Sequence, residues 1–464
     1  MVSSLKITVV ETCTVAPPPQ SVPPTSLPLT FLDIPWLLFT PTQPLFFYEF
    51  PTITTAHFKQ NILPNLTKTL SLTLQHFFPF AGNLVTPSPH STGAAPHLEY
   101  TEDDSILLTV AESPSAGDFK RLAANHQKTA RDFRDLVPAL LSAGSGGEAG
   151  SRQQLLAIQI TVFPQAGISM GFTLRHVAAD WRTFNNFLKG WSSLCKSGGE
   201  SSSEYTSLHD RSVIRDPIGL GSTFLNEWWA MKIGRSISTC EKTIIIRSTF
   251  VLGPIEMESI KKWILTRSET LFGSTQLLLS PYVLVCAFLW VCWVKAHWST
   301  SEENCVHYFG FVAGGMTRLR YTVPDNYAGN CVGFGRSSAT RYELLGENGI
   351  LFAARAIGDT IKKLNADMLG GAENWMSDWK VLRESELHIM VTGSPKVDLY
   401  GLDFGWGRPV KMEDVSIDGT GAISLCECRE VVGGVEIGVA LPKFKMDDFT
   451  IFFNKGLNHY SIGY

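Results

Sequence analysis

Residues 153–181 constrain the fold most, because they read as two apolar strands followed directly by a helix. The runs "QQLLAIQITVF" and "GISMGFTLRHV" stand on either side of a short turn at residues 164–167. Apolar runs of this length between turn residues predict a buried β-hairpin. Beyond Asp180 the apolar residues recur on one helical stripe: Phe184, Phe187, Leu188, Trp191 and Leu194. The stripe predicts an amphipathic helix, so the segment indicates a sheet packed against helices, of the α/β or α+β class.

Helix and strand patterns alternate along the rest of the chain, and no repeat period relates them. Strands are predicted over residues 98–111, 306–313 and across 408–441, and helices over 255–265, 281–295 and after Pro442. The stretch "KSGGESSSEYTS" (residues 196–207) is typical of a linker. A chain of 464 residues exceeds what one hydrophobic core supports. We therefore expect an N-terminal lobe (1–195), a crossover linker (196–225) and a C-terminal lobe (226–464).

One apolar segment, "SPYVLVCAFLWVCWVK", could be mistaken for a membrane span. Only 13 apolar residues run from Tyr282 to Val294, whereas a span needs about 20. Ser280 followed by Pro281 is typical of an N-cap and the first position of a helix. We therefore predict a buried core helix and no membrane association.

Composition excludes some classes of function and favours one compartment. The net charge of −4 provides no field for nucleic acid or an anionic membrane surface. The nine cysteines are scattered without a CxxC pair, so neither a zinc site nor a disulfide framework is indicated. Several lie inside apolar runs, where cysteine behaves as a small hydrophobe. We expect a monomeric protein in the cytoplasm, without a metal.

The apolar strand that ends near residue 175 is followed by His176 and, four residues later, Asp180. The spacing alone is uninformative, because a chain with 11 His and 43 acidic residues has about one such pair by chance. If the helix begins at Trp181, Asp180 is its N-cap and fixes the loop. His176 would then be free to take a proton from an alcohol that attacks an acyl carbonyl. A purely structural histidine at a strand end is the alternative.

The sequence "GISMG" (residues 167–171) matches the Gly-x-Ser-x-Gly pattern of a hydrolase nucleophile elbow. That elbow requires a strand before the serine and a helix after it. Here a turn precedes Ser169 and more strand follows, so Ser169 is predicted on one face of a strand. A serine hydrolase remains an alternative of a different class.

Two motifs and two further segments resemble the plant BAHD acyltransferases, which use acyl-CoA donors. The motifs are "HVAAD" (176–180) and "DFGWG" (403–407), and the segments are "FLDIPWLLFTPTQPLFFYEFP" (31–51) and "QHFFPFAGNL" (75–84). Within the family, "YFGFVAGGMTRLRYTVPDNYAGNCV" (308–332) is similar to the signature of the clade that acylates flavonoid and phenolic glucosides, including anthocyanin malonyltransferases. The usual Asp-Cys-Arg-Ser-Arg-Leu-Asp of that signature reads Gly-Gly-Met-Thr-Arg-Leu-Arg over residues 314–320.

The resemblance implies a mixed α/β fold of two similar-sized lobes, like that of chloramphenicol acetyltransferase, with a channel at their interface. It also implies that His176 is the general base and that acyl-CoA is a co-substrate rather than a bound cofactor. Donor and acceptor would meet in a ternary complex, and the acyl group would pass directly between them. No activated serine or cysteine was found in the sequence, which fits direct transfer.

The DFGWG motif has two interpretations. Gly405 and Gly407 flank Trp406 and predict a tight bend. The indole N–H could donate to the tetrahedral oxygen or line the channel. Alternatively, the bend only packs the lobes together, with Asp403 paired to an arginine, and the family resemblance points to this structural role.

The anionic donor predicts basic groups and helix N-termini at its mouth. The candidates are Lys261 and Lys262 on one predicted helix, Ser280 at the head of the next, and Asn330. A malonyl donor adds a carboxylate, which an arginine would hold in a bidentate manner. Arg318 is the first candidate, and Arg175 and Arg182 bracket the histidine.

The reaction expected from these observations is malonyl transfer from malonyl-CoA to a sugar hydroxyl of a phenolic or flavonoid glucoside. The alternative in the same class is a hydroxycinnamoyl donor such as coumaroyl-CoA. A catalytically silent relative that acts as a binding protein is the third hypothesis.

Overall fold

The computed structural model describes residues 5–87, 95–143, 151–200, 206–233, 243–298, 303–384 and 387–461. The strands of the first half are β1 (Thr8–Val15), β2 (Thr25–Pro28), β3 (Pro44–Glu49), β4 (Asn83–Thr86), β5 (His97–Tyr100), β6 (Ile106–Glu112), β7 (Lys128–Thr129), β8 (Ser142–Ala143), β9 (Ser151–Gln154), β10 (Leu156–Phe163) and β11 (Gly167–Leu174). Those of the second half are β12 (Ile245–Leu252), β13 (Val306–Gly314), β14 (Val332–Thr340), β15 (His388–Gly393), β16 (Lys411–Asp414), β17 (Ile423–Glu427) and β18 (Val435–Pro442).

Helices alternate with these strands throughout. They are α1 (Thr55–His57), α2 (Leu63–His76), α3 (Ala116–Ala123), α4 (Arg131–Arg134), α5 (Trp181–Lys196), α6 (Leu220–Ile233), α7 (Pro254–Phe272), α8 (Pro281–Trp298), α9 (Arg341–Leu345), α10 (Gly349–Ala366), α11 (Trp375–Glu384), α12 (Ile417–Thr420) and α13 (Lys443–Ser461). A π-helix, Phe58–Ile62, lies between α1 and α2, and short 3-10 helices fill several of the other connections.

The predicted hairpin is confirmed and forms the centre of a six-stranded sheet. Strands β10 and β11 pair antiparallel from Leu156↔Leu174 to Phe163↔Gly167, and every one of their residues is buried. The sheet order is β1-β6-β10-β11-β3-β16, in which only β6 and β10 run parallel. Helices α2 and α5 cover one face of this sheet and pack on it through a single apolar cluster, which contains Trp191. A five-stranded antiparallel sheet, β2-β5-β4-β9-β8, completes this half.

A seven-stranded mixed sheet organises the second half, in the order β14-β13-β15-β17-β18-β12-β7. Helix α8 packs against it, and the residues from Val283 to Val294 are almost entirely buried. The predicted cap is present, because the Ser280 hydroxyl accepts a hydrogen bond from the Val283 N–H over 3.3 Å. Within the described residues, no helix combines the length and the apolar character that a membrane crossing requires.

Each large sheet contains a strand from the other half of the chain. Strand β16 joins the six-stranded sheet through β3, and β7 joins the seven-stranded sheet through β12. Buried ion pairs follow this exchange, since Glu413 contacts both Lys128 and Arg247 at 2.9 Å. The division into 1–195, 196–225 and 226–464 stays a prediction, and these two strands cross it.

Two local expectations need correction. The strand expected over residues 98–111 is two strands, β5 and β6, because the Asp104 carboxylate accepts hydrogen bonds from the N–H and hydroxyl of Thr101 and closes a turn. The crossover segment also contains the start of α6, where Asp216 accepts hydrogen bonds from the N–H groups of Leu220 and Gly221 at 2.8 Å. Residues 201–205 of this segment lie outside the described residues.

Candidate active site

His176 lies where β11 gives way to α5. It is the first residue of a 3-10 helix, His176–Ala178, and the preceding Arg175 N–H still donates to the Leu155 carbonyl over 2.9 Å. Trp36, from the 3-10 helix Ile34–Leu38, stacks flat on the imidazole with the ring centroids 3.5 Å apart and the planes at 10°. One face of the imidazole is therefore covered by an indole.

His176 is half-buried, and its Nδ1 is buried without a hydrogen-bond partner among the described residues. Burial lowers the pKa of His176 to about 4, although the nearby Asp180 and Asp33 carboxylates oppose this shift. The ring is therefore neutral at pH 7 and able to accept a proton.

Asp180 is the N-cap of α5, as predicted from the sequence. Its Oδ1 accepts from the Thr183 N–H over 2.9 Å, and its Oδ2 accepts from the Cys331 N–H over 3.0 Å. The second bond ties the start of α5 to a segment from the second half of the chain. Because both oxygens are engaged with backbone donors, the carboxylate anchors the loop and does not bond to the imidazole.

Asn330 lies in the same segment and is completely buried. Its amide nitrogen donates to the carbonyl oxygens of His176 (2.9 Å) and Val177 (3.2 Å), and to the Asp33 carboxylate (2.9 Å). The amide thus grips the backbone of the turn that carries the histidine. Its assignment as a contact of the acyl-CoA donor stays a prediction.

The two arginines that bracket His176 are held by carbonyl groups. Arg182 donates to the Tyr327 carbonyl over 2.6 Å and to the Asp325 carbonyl over 3.2 Å, which adds a further link to the segment around Asn330. Arg175 donates through Nε to the Gln154 carbonyl over 3.1 Å, and burial lowers the pKa of its guanidinium.

Asp403 organises the DFGWG bend. Its Oδ1 accepts hydrogen bonds from the N–H groups of Gly405 (2.9 Å) and Gly407 (3.0 Å), and its Oδ2 pairs with Lys196 at 2.7 Å. Both glycines have φ near +105°, a conformation that a side chain would strain. The basic partner of Asp403 is therefore a lysine, not the arginine that we expected.

The DFGWG motif lies far from His176, because Lys196 is the last residue of the helix that Asp180 begins. A helix of 16 residues is about 24 Å long, so the two motifs are at opposite ends of α5. Trp406 stacks on Phe404 with the ring centroids 5.6 Å apart, and its N–H is buried without a partner among the described residues. This geometry favours the structural interpretation of the bend.

The other donor-site candidates lie in the second half of the chain. Lys261 and Lys262 are on α7, where Lys261 pairs with Glu258 at 3.6 Å and Lys262 is exposed. Ser280 begins α8. Arg318 donates to the Asn365 side chain and to the Gly314 carbonyl, both at 2.7 Å. Within the described residues, none of the four forms a hydrogen bond or ion pair with His176, Asp180 or Asn330.

A cavity lies where the two large sheets approach each other. Trp181, the first residue of α5, lines it from one side together with Met412 and Asp414 of β16. Ser424, Glu436 and Gly438, from β17 and β18, line it from the other. The cavity is small, about 20 Å³, and His176 is not among the residues that line it.

Three residues near His176 were not singled out in the sequence: Asp33, Trp36 and Arg211. Asp33 is fully buried and contacts Asn330, and Arg211 is also buried, 3.8 Å from Asp33. A carboxylate in the apolar run "FLDIPW" was the available signal, because a buried carboxylate must find partners. No pattern in the sequence indicated the partners.

Two other chemistries find no support in the described geometry. Ser169 is the third residue of β11, paired with Thr161 and Phe47, so it lies in the middle of a strand as predicted and not at an elbow. Its hydroxyl is buried and has no partner among the described residues. Within the described residues, no three His, Cys, Asp or Glu side chains lie close enough together to hold a metal ion.

Comparisons with known proteins extend over almost the whole chain. A family model described as the Transferase family matches residues 5–454. The chain is 35% identical to a coumaroyl-CoA:anthocyanidin 3-O-glucoside-6''-O-coumaroyltransferase of Arabidopsis thaliana, over 98% of each protein. It is also 35% identical to a malonyl-coenzyme A:anthocyanin 3-O-glucoside-6''-O-malonyltransferase of Dahlia pinnata, over 97% of each. Vinorine synthase has the same fold, with a TM-score of 0.69 at 18% identity over 96% of each chain, which confirms the expected fold class.

Proposed function

The chain belongs to the BAHD acyltransferase family, and on that premise we propose that it transfers malonyl from malonyl-CoA to a sugar hydroxyl of a phenolic or flavonoid glucoside. Two relatives, each at 35% identity, act on anthocyanidin or anthocyanin glucosides, which supports the acceptor class. The half-buried, neutral His176 carries the proposal, because a base that takes the proton of the alcohol promotes its attack on the thioester.

His176 would act as the general base in a ternary complex. Its Nε2 takes the proton of the acceptor hydroxyl as the oxygen attacks the carbonyl carbon of the thioester. The tetrahedral oxyanion then collapses, the carbon–sulfur bond breaks, and the CoA thiolate receives the proton from the imidazolium. The products are the ester and free CoA, and no acyl-enzyme forms.

The arrangement around His176 supports this route. Trp36 fixes the plane of the imidazole, and Asp180 fixes the helix that follows. The channel that the family resemblance implies stays a prediction, because His176 does not line the cavity between the two sheets. Donor and acceptor would enter this channel from opposite faces.

Replacement of His176 by glutamine tests the base. We expect kcat with malonyl-CoA and a flavonoid 3-O-glucoside to fall by about 10²–10⁴-fold, the usual contribution of a general base. Ser169→Ala is the matched control, because it removes a hydroxyl with no partner among the described residues and should leave turnover near that of the wild type. The opposite pattern would support the serine hydrolase. When both substrates are varied, we expect the double-reciprocal plots of initial rate to intersect, since parallel lines would indicate an acyl-enzyme.

A hydroxycinnamoyl donor is the second candidate, favoured by the relative that transfers coumaroyl groups. Aromatic rings next to the site, including Phe334 at 5.1 Å from Trp36, would also suit a planar acyl group. Turnover of a panel of CoA thioesters decides between the two donors. If only aromatic thioesters react, the malonyl assignment is wrong, and if none reacts, the silent binding protein is favoured.

Arg318 is the proposed partner of the malonyl carboxylate. We expect Arg318→Ala to raise KM for malonyl-CoA by about tenfold or more and to leave KM for acetyl-CoA unchanged, because acetyl has no carboxylate. Lys262→Ala is a useful comparison, since it would affect every CoA ester alike through the shared phosphates. Equal effects of Arg318→Ala on both donors would contradict the assignment.

We further propose that the protein works as a monomer in the cytoplasm. The eight cysteines of the described residues are all free, which supports a reducing compartment. Light scattering during gel filtration would check that the protein is a monomer. Imaging of a fluorescent fusion would check that it lies in the cytoplasm.

A further inference from the structure

We propose that Asn330 and Asp33 are positioning residues for His176, and that they hold the catalytic turn by its backbone across the two halves of the chain. This inference rests on the proposed function, because it assigns a purpose to the orientation of the histidine. It also differs from the donor-contact role that the sequence suggested for Asn330.

The Asn330 amide is placed to fix a backbone. It donates to the carbonyl oxygens of His176 and Val177, which are the first two residues of the 3-10 helix. These carbonyl groups set the direction in which the imidazole leaves the turn. Because Asn330 is completely buried, its amide nitrogen has no water as an alternative partner and depends on these carbonyl groups and on Asp33.

Asp33 in turn fixes Asn330. Its Oδ1 accepts from the Asn330 side chain at 2.9 Å and from the Asn330 N–H at 3.4 Å. Its Oδ2 accepts from the N–H (2.8 Å) and hydroxyl (2.7 Å) of Thr30. The carboxylate therefore has defined partners on both oxygens, one of them 297 residues away in sequence.

Asp33 is also next in sequence to the wall that covers the imidazole. It immediately precedes the 3-10 helix Ile34–Leu38, which carries Trp36. The Asp33 side chain makes no cap hydrogen bond to this helix, so its link to the stacked indole runs through the main chain alone. Its link to the backbone of His176 runs through the Asn330 side chain.

Arg211 supplies the charge that a buried carboxylate requires. Its guanidinium lies 3.8 Å from Asp33 Oδ2, and it donates to the Tyr327 hydroxyl over 2.8 Å. Arg211 lies in the predicted crossover linker (196–225). This linker therefore contributes a side chain that supports the site.

The test compares Asn330→Ala with Asn65→Ala. The side-chain amide of Asn65 also donates a hydrogen bond to a backbone carbonyl, that of Cys195 at 2.9 Å, but at the end of α5 that lies far from His176. We expect Asn330→Ala to lower kcat by about 10²-fold with KM for both substrates nearly unchanged, since a small misplacement of a catalytic group has this effect. Asn65→Ala should lower thermal stability without that loss of kcat. An Asn330→Ala enzyme that loses only donor affinity would overturn the proposal in favour of the donor contact.

A second measurement does not depend on turnover, so failure of the proposed function can be recognised separately. In a histidine-labelled protein, we expect the stacked Trp36 to shift the His176 Cε1–H resonance upfield, and the absence of this resonance in His176→Gln assigns it. Asn330→Ala and Asp33→Asn should both move this resonance toward the position of an unstacked histidine, and Asn65→Ala should not. A double-mutant cycle on kcat completes the test: Asp33→Asn should lower kcat little further once Asn330→Ala is present. An unmoved resonance, or fully additive effects on kcat, would refute the proposal.

Discussion

Removal of the Asp180 carboxylate should destabilise the protein by an amount that the structure allows us to divide. The carboxylate serves as the N-cap of α5 and also accepts the Cys331 N–H from the other half of the chain. Loss of such a cap costs about 1 kcal/mol. A buried N–H left without a partner costs about 1–3 kcal/mol more. We therefore expect Asp180→Ala to lower the free energy of unfolding by about 2–4 kcal/mol.

Asp180→Asn separates the two contributions. The asparagine keeps one carbonyl oxygen for the Thr183 N–H and is a good cap, but its NH2 group cannot accept from Cys331. Its cost should therefore be about 1–3 kcal/mol, with the cap retained. Asp210→Ala is the control, because Asp210 caps a short helix from an exposed position and should leave the unfolding midpoint close to that of the wild type.

Urea unfolding followed by tryptophan fluorescence and circular dichroism gives the midpoints of the three variants. The order of stability should be wild type, then Asp180→Asn, then Asp180→Ala. If Asp180→Asn is as stable as the wild type, the bond to Cys331 contributes nothing and the predicted division is wrong. If Asp180→Ala is no less stable than the asparagine variant, the cap is irrelevant and the division is equally wrong.

Four further outcomes are expected. Because the pKa of His176 is about 4, log kcat/KM should be independent of pH from about 5 to 8 and fall only below that range, and a limb near 6.5 would contradict this. The same depressed pKa means that His176 lowers stability as the pH falls from 6.5 toward 4, where the unfolded chain binds more protons. Asp403→Ala should cost about 1–2 kcal/mol in chemical unfolding through two lost backbone bonds, more than Lys196→Ala at the exposed side of the pair, with little change in kcat for either. Burial opposes ionisation of Glu413, but the buried cations Lys128, Arg247 and Lys411 lower its pKa to about 2. Its stabilisation is therefore present above pH 4.5 and lost toward pH 2, and Glu413→Gln should cost about 3–5 kcal/mol at neutral pH.

Local patterns were predicted well because their causes are local. The hairpin of β10 and β11 follows from two apolar runs and a turn, and α5 follows from its stripe and from Asp180. The N-cap was recognisable because a cap bonds to a residue three positions away. The same is true of Ser280 at the head of α8.

The HVAAD and DFGWG motifs predicted an acyltransferase through a family resemblance, which the comparisons confirm, whereas the role of His176 as the base stays a prediction. Only the tertiary structure decided what surrounds that histidine. Asp33, Trp36 and Asn330 come from distant segments, and their roles depend on contacts that span more than a hundred residues. The distance between the two motifs is likewise set by α5, because Asp180 begins this helix and Lys196, its last residue, pairs with Asp403. Periodicity and caps act within a turn of chain, whereas the orientation of a buried imidazole is set by packing between segments that have no relation in sequence.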